Sequence, residues 1–490
     1  MREFWGIGKM KIRLVLTALA VQFACAPLAE RASAATVTIT PIITAGQTAG
    51  DTGATFTGFD SFSVNDLGQF VFLGDTTDDA DGNDEGVFFL NNPGGSAVRI
   101  FFEGDALPSP VDPLNVVSSG LSPRTAINNN GQIVTNLDTV NVEGGPDDDG
   151  LVLTTASDPA NFNVALTEGD PAPAGLGTFT SFTAGTTEER INESGAVAFG
   201  GSFTDTDGNF DSGLFIRNPD GTIAPVAIEG DLAGDTGQAI RFISDEHGFN
   251  DSGQIAFNAS LTGGGDGVFI DDATGATQTV AVTGTTTVEV GGETLTFNDI
   301  DTDVGLNNAG QTVFAGSVTA DSNGNEDGIF TGDGMGGVNV VAFQGDLAPL
   351  TTGPVDAAFS NFESNPEIND AGQIAFFAGV FAPSTSEFFE GIFLADGLGG
   401  LVTIALAGDM IVDALGTTQT ISFFGANLEI TNNGVGFQAF FNNGGSGLFF
   451  ASFDDPSEIP LPAAAWIFLA GVGGLGALRR RGGRVNQQSL

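Results

Sequence analysis

One short element, Asn-x-x-Gly followed by an apolar strand, returns along this chain at a nearly constant step, and few architectures can house such a repeat. It reads Asn65-Asp66-Leu67-Gly68 ahead of Phe70-Val71-Phe72, then Asn128…Gly131, Asn192…Gly195, Asn250…Gly253, Asn307…Gly310 and Asn369…Gly372. A seventh copy, Thr431…Gly434, has lost its Asn. The glycines lie 63, 64, 58, 57, 62 and 62 residues apart. Asn at the first position of a tight turn caps the backbone, and Gly at the fourth accepts positive φ.

Two further elements keep step with the first. A Gly-apolar-Phe strand recurs at Gly86, Gly213, Gly267, Gly328, Gly391 and Gly447, with Gly150-Leu151-Val152 as a variant. A strand ending in Gly-Asp recurs at Asp105, Asp170, Asp231, Asp346 and Asp409, with Gly46-Gln47 and Gly284-Thr285 in degenerate form. A Phe-rich stretch such as Phe179-Thr180-Ser181-Phe182 then leads into the next Asn-x-x-Gly. Each unit therefore offers about four short strands, the number in a propeller blade. With 43 Phe, no Tyr and 72 Gly, the composition suits apolar layers joined by tight turns. The pattern opens on a Gly-Asp-type strand from Thr38 and closes on a Gly-apolar-Phe strand at Gly447, so the first strand can complete the last blade. Neither end carries the polar capping unit of an open solenoid. The expected fold is all-β, a seven-bladed β-propeller over residues 35–457, each repeat about 61 residues long. The Gly-Asp carboxylates then have two readings, a cation-binding ring on the axis or structural caps of adjacent turns, and repetition in every blade favours the second.

The ends read differently. Residues 1–34 form a signal peptide: Lys11 and Arg13 are its basic region, Leu14 to Ala24 its apolar core, and Ala32-Ser33-Ala34 its cleavage site, with Met1 or Met10 as initiator. Cys25, the only cysteine, falls inside it, so the mature chain has no thiol for disulfides or metal. Residues 458–490 hold Ile459-Pro460-Leu461-Pro462-Ala463, an apolar run to Leu478, and Arg479-Arg480-Arg481. That run spans roughly 24 Å as a helix, short for a lasting anchor, and the arginines hold the extreme C-terminus in the cytoplasm.

The tail closely resembles the PEP-CTERM sorting signals of the VPLPA type, with Ile459 replacing the first Val. The resemblance implies cleavage by an exosortase-type enzyme after signal peptidase has acted, transient residence in the inner membrane, and delivery to the cell surface or exterior. The repeats resemble a tandem-repeat family named for its NxxGxxAF motif, matched by Asn192 to Phe199, Asn250 to Phe257 and Asn369 to Phe376. That resemblance implies an exported surface protein and transfers no catalytic residue.

Formal net charge is -47, and between residues 35 and 457 only five arginines (Arg99, Arg124, Arg190, Arg217, Arg241) face 58 Asp and Glu. Such a surface repels nucleic acid and attracts cations. Three acidic hairpins could hold Ca²⁺ through alternating hard oxygens: Asp79, Asp81 and Asn83; Asp205, Asp207, Asn209 and Asp211; Asp321, Asn323, Asn325 and Asp327. Equally, Asp, Asn and Gly are the best turn formers, and both readings stay open. With one histidine, His247, and neither Lys nor Cys in the body, thiol, Schiff-base and multi-His metal chemistries are excluded. The expectation is a non-enzymatic binding or adhesion module associated with extracellular polysaccharide. A carboxylate-based glycan hydrolase or lyase is the alternative.

Overall fold

A computed structural model describes residues 37–453, apart from 78–83, 108–114, 119–123, 142–148, 183–188, 272–276, 321–323 and residues 206, 336, 352, 364 and 398. The signal peptide, the sorting residues Ile459 to Ala463 and Arg479 to Arg481, and part of the acidic hairpins lie outside this set.

The described residues fold as seven antiparallel blade sheets and one further two-stranded sheet, and the single helical element among them is a three-residue 3-10 turn, Pro173–Gly175. Blade 1 shows the plan, with strands Phe56–Val64, Phe70–Thr76, Glu85–Leu90 and Val98–Phe102 paired in chain order. Blades 2 to 6 follow over 115–167, 171–228, 240–282, 287–343 and 358–406. Blade 7 spans 410–452 and takes its outermost strand, Thr38–Thr44, from the other end of the chain. Thr38 lies opposite Ser452 and Thr44 opposite Gly447, so the ring closes by strand exchange as the order of the repeat implied. Blade 2 is the irregular copy, where Asn115–Val117 pairs with Thr139–Asn141 in a separate two-stranded ladder.

Each Asn-x-x-Gly turn joins the first strand of a blade to the second, and the seven turns meet around the axis at one end of the ring. Asn250 shows what the motif does. Its Oδ1 accepts from Ser252 N at 3.1 Å and Gln254 N at 3.0 Å, which closes its own turn. Its Nδ2 donates to the Asn307 carbonyl of the next blade at 3.1 Å. The same reach runs from Asn65 to Asn128, Asn128 to Asn192, Asn192 to Asn250, Asn307 to Asn369 and Asn369 to Thr431. Gly253 holds φ +79°, a conformation an L side chain resists, so the fourth position needs Gly.

Between blades the packing has a polarity. The Phe of blade 3 (Phe179, Phe199, Phe203, Phe215) lie against the aliphatic face of blade 2 (Val134, Leu151, Leu166). In blades 5 and 6 the pattern repeats, Phe359, Phe376 and Phe393 meeting Val313, Ala315 and Ile329. Within each aromatic face, rings from the second and third strands stack, as Phe376 and Phe393 do at 5.9 Å and 27°, and a first-strand ring such as Phe359 meets Phe393 edge-on at 5.0 Å. Strand alternation presents these rings on one side only.

Asn250 is buried and its side chain carries four hydrogen bonds at the turn and across to the next blade, so Asn250→Ala leaves several polar groups unpaired. The expected loss is about 2–4 kcal/mol in urea unfolding. A loss below about 0.5 kcal/mol would mean that the relay between turns adds nothing to the fold.

Candidate functional site

The seven first strands surround the axis, and several are bulged there, as between Ile243 and His247 or Phe424 and Leu428. These bulges and neighbouring strand residues gather charge from distant blades. Arg190 of blade 3 pairs with Glu367 of blade 6 at 2.8 Å and Glu429 of blade 7 at 3.2 Å. Arg124 of blade 2 lies 3.7 Å from Glu246 of blade 4 and donates to Asn427 of blade 7 at 3.4 Å. His247 is buried on the same strand of blade 4. Two of the five body arginines thus brace the ring from inside. The sequence did not single them out, because a bulged strand has no readable two-residue phase.

At the mouth formed by the Asn-x-x-Gly turns, the second turn residues make another ring. Asp66 N donates to Asn129 Oδ1 at 2.8 Å, Glu193 N to Asp251 Oδ1 at 2.8 Å and Asn308 N to Asp370 Oδ1 at 2.9 Å. These oxygens line a polar recess of about 210 Å³ and are already engaged by backbone N–H groups.

The opposite end carries the outer-strand turns and the hairpins between second and third strands. Here the Gly-Asp carboxylates are local caps: Asp105, Asp170, Asp231, Asp346 and Asp409 each accept from the backbone N–H three residues earlier. In the degenerate copies Gln47 Oε1 and Thr286 Oγ1 take that part. Of the acidic hairpins, Asp79, Asp81, Asn83, Asp321 and Asn323 lie outside the described residues. Asp205 is a turn cap whose Oδ1 accepts from Asp207 N and Asn209 N, both at 2.8 Å. The Asn209 side chain on its other oxygen holds its pKa below the ordinary value. Asp211, Asn325 and Asp327 sit on strands, opposite Phe203, Thr319 and Ser317. Among the described residues no three His, Cys, Asp or Glu form a group suited to a metal.

Carboxylates crowd this end. Burial, then Asp60, Asp84 and Glu103, push Asp75 up to about 6. Burial, then Asp299, Asp303 and Asp327, push Asp301 up to about 6. Glu363 is raised by burial and by Glu390.

The apolar layer between blades 3 and 4 opens at this end into a cleft of about 260 Å³. One residue contributes to it. The position after the stacked Phe of the second strand faces the next blade, and in blades 4, 7 and 6 a long side chain spans it: Asn258 donates to the Asp301 carbonyl at 3.1 Å, Gln438 to the Phe59 carbonyl, and Phe377 meets Phe424 at 6.2 Å. In blade 3 it is Gly200, so the gap stays open. Phe210, Phe242, Ser202, Ser212, Ser244 and Glu229 line it. Ser212 donates to Glu229 at 2.9 Å. Both rings are far from buried, with 65% of Phe210 and 51% of Phe242 exposed. The sequence reading passed over this site, since one Gly among 72 carries no signal until the blades are superposed.

These features define a closed seven-bladed propeller with an open cleft between blades 3 and 4. The chain belongs to DUF7453, a family of unknown function whose model matches residues 31–274 and again 271–458. No curated protein matches it. Among solved structures, it is similar to the β-propeller domain of the trilobed protease from Pyrococcus furiosus, at 10% identity and TM-score 0.44, covering 83% of this chain and 99% of that one. It is also similar to a PL25 ulvan lyase, at 10% identity and TM-score 0.38, covering 86% and 94%. A Trypanosoma rangeli sialidase follows at 11% and 0.34, covering 83% and 72%. The fold assignment rests on the strand pairings above.

Two outcomes follow from the charges. Arg190→Ala removes two partly buried ion pairs, to Glu367 and Glu429, near the axis, at an expected cost of about 3 kcal/mol in urea unfolding. A change below about 0.5 kcal/mol would reduce the pairs to surface-like contacts. For Asp75 and Asp301, a folded value near 6 above an unfolded 3.8 means stability that is complete below pH 3.8 and lost as pH rises through 6. Asp301→Asn should therefore flatten the fall in melting temperature between pH 4 and 8, by about 1 kcal/mol after allowance for screening. An unaltered pH profile in this variant would place Asp301 in open solvent.

Proposed function

We propose that this protein is an exported surface or matrix module that holds polysaccharide without turning it over. The leader and the sorting-like tail support export, with exosortase-type processing near Pro462 as part of the same reading. The observation that carries the binding is the blade 3–4 cleft, in which two exposed phenylalanine rings stand beside four serines (Ser181, Ser202, Ser212 and Ser244) and one carboxylate. Aromatic faces accept the apolar face of a pyranose, while hydroxyls and a carboxylate match its ring of hydroxyl groups. Such surface is costly to leave exposed unless a partner uses it. The formal net charge of -47 disfavours polyanionic glycans and leaves neutral or aminated ones.

The rival is carboxylate-based glycan cleavage, favoured by the raised Asp301 with Asp299 and Asp303 near it. Affinity electrophoresis of the full mature chain through gels holding hydroxyethylcellulose, laminarin, galactomannan, chitosan or alginate separates the two when each polymer is also assayed for new reducing or unsaturated ends. Retention by a neutral or aminated polymer without new ends is expected, and Phe242→Ala should weaken it at least tenfold with the melting temperature unchanged. New ends that vanish in Asp301→Asn would establish the rival.

A further inference from the structure

The two cleft rings have counterparts. Phe210 stands opposite Thr204 on the third strand of blade 3, five residues before the stacked Phe215. The same place in blade 6, five residues before Phe393, is Phe388, opposite Phe381. Phe242 is the second residue after Ile240, whose carbonyl accepts from the turn glycine Gly230. Its counterpart in blade 7 is Phe423, two residues after Ile421, whose carbonyl accepts from Gly408. Elsewhere the first position holds Gly264, Asn325 or Gly444, and the second holds Gly58, Ser181, Asp299 or Asn361. Among the described residues, Phe therefore occupies both positions only at the 3–4 and 6–7 junctions.

The second pair is as exposed as the first, 60% for Phe388 and 48% for Phe423. Phe423 is stacked on Phe440 at 4.5 Å and 11°, which makes a flat two-ring shelf rather than a cleft. Fixed aromatic shelves bind with little ordering cost. Both pairs sit at the end of the ring away from the Asn-x-x-Gly mouth, three blades apart. Rings at matching positions on a rigid body suit a ligand that repeats its own structure.

We propose that the two aromatic pairs engage one neutral, linear polysaccharide at two points along its length. This rests on the polysaccharide reading of the first cleft and adds the second contact and the polymeric nature of the ligand. Once one site is filled, the other meets the same chain at high effective concentration, so polymer binds far more tightly than oligomer.

The test uses the full mature chain, with cellohexaose, laminarihexaose and mannohexaose in calorimetry, and hydroxyethylcellulose, laminarin and galactomannan in affinity gels. Two hexaose equivalents per chain are expected, falling to one in Phe388→Ala/Phe423→Ala and to one in Phe210→Ala/Phe242→Ala. Each double variant should lose about 10- to 100-fold in polymer affinity. Phe388→Tyr/Phe423→Tyr keeps the flat rings and should keep the affinity. A single hexaose equivalent, with polymer affinity unmoved in Phe388→Ala/Phe423→Ala, overturns the second site and leaves the first standing. Lost affinity that tracks a lowered melting temperature assigns these rings to packing and overturns it too. No retention of the unaltered chain by any of the three neutral polymers overturns this inference, and no retention by chitosan either removes the polysaccharide reading itself.

Discussion

The asparagine of each Asn-x-x-Gly turn uses one side chain to bond both its own turn and the next, and the ring depends on that economy. Its carbonyl oxygen closes the turn that reverses the strand, as Asn307 Oδ1 does for Gln311 N at 3.0 Å. Its amide nitrogen reaches the carbonyl of the next turn, as Asn307 does for Asn369 at 3.2 Å. The link spans neighbouring blades at their narrowest separation, near the axis. It sets how closely the first strands approach, and the phenylalanine layers fill the wedge that widens outward. Thr431 has no amide to pass the relay on. There the circle is completed by Asn432 and Asn433, which bond Asp66 across the seam between the two ends of the chain.

Charge is placed by the same logic. An acidic body tolerates its carboxylates at the rim, where water and salt screen them. At the axis it brings Glu246, Glu367 and Glu429 close to Arg124 and Arg190. The proposed binding surface sits where the repeat is broken. Gly200 lacks the bridge that Asn258 and Gln438 make in blades 4 and 7, and four phenylalanines stand exposed at positions where other described blades carry Gly, Ser, Asn or Asp.

Much of the architecture could be read from residue order, because each turn is local: Asn65 to Gly68 and Gly104-Asp105 make their defining bonds within about four residues. The reading of the Gly-Asp carboxylates as structural caps holds, for the same reason. The candidate cleft could not be read this way. Phe242 looks like one more apolar residue in Arg241-Phe242-Ile243, and Phe210 like the end of an acidic hairpin. Only the bulges and the strand pairings reveal which face each ring takes. The acidic hairpins were divided differently from their sequence grouping, with Asp205, Asp207 and Asn209 in the turn and Asp211 and Asp327 on strands, since ladder pairing runs past the apparent loop.

By itself, then, the sequence determined the number of units, the strands in each and the turn chemistry. All of these follow from short-range hydrogen bonding and from the phase of apolar residues. Tertiary structure decided that the first strand completes the last blade, what stands on the axis, which carboxyls are crowded enough to be raised above the ordinary carboxylate range, and that the gap between blades 3 and 4 stays open. Those depend on residues 43 to 379 positions apart meeting across blades, as Asn258 does with Asp301 and Gln438 with Phe59, and no local pattern encodes such a meeting.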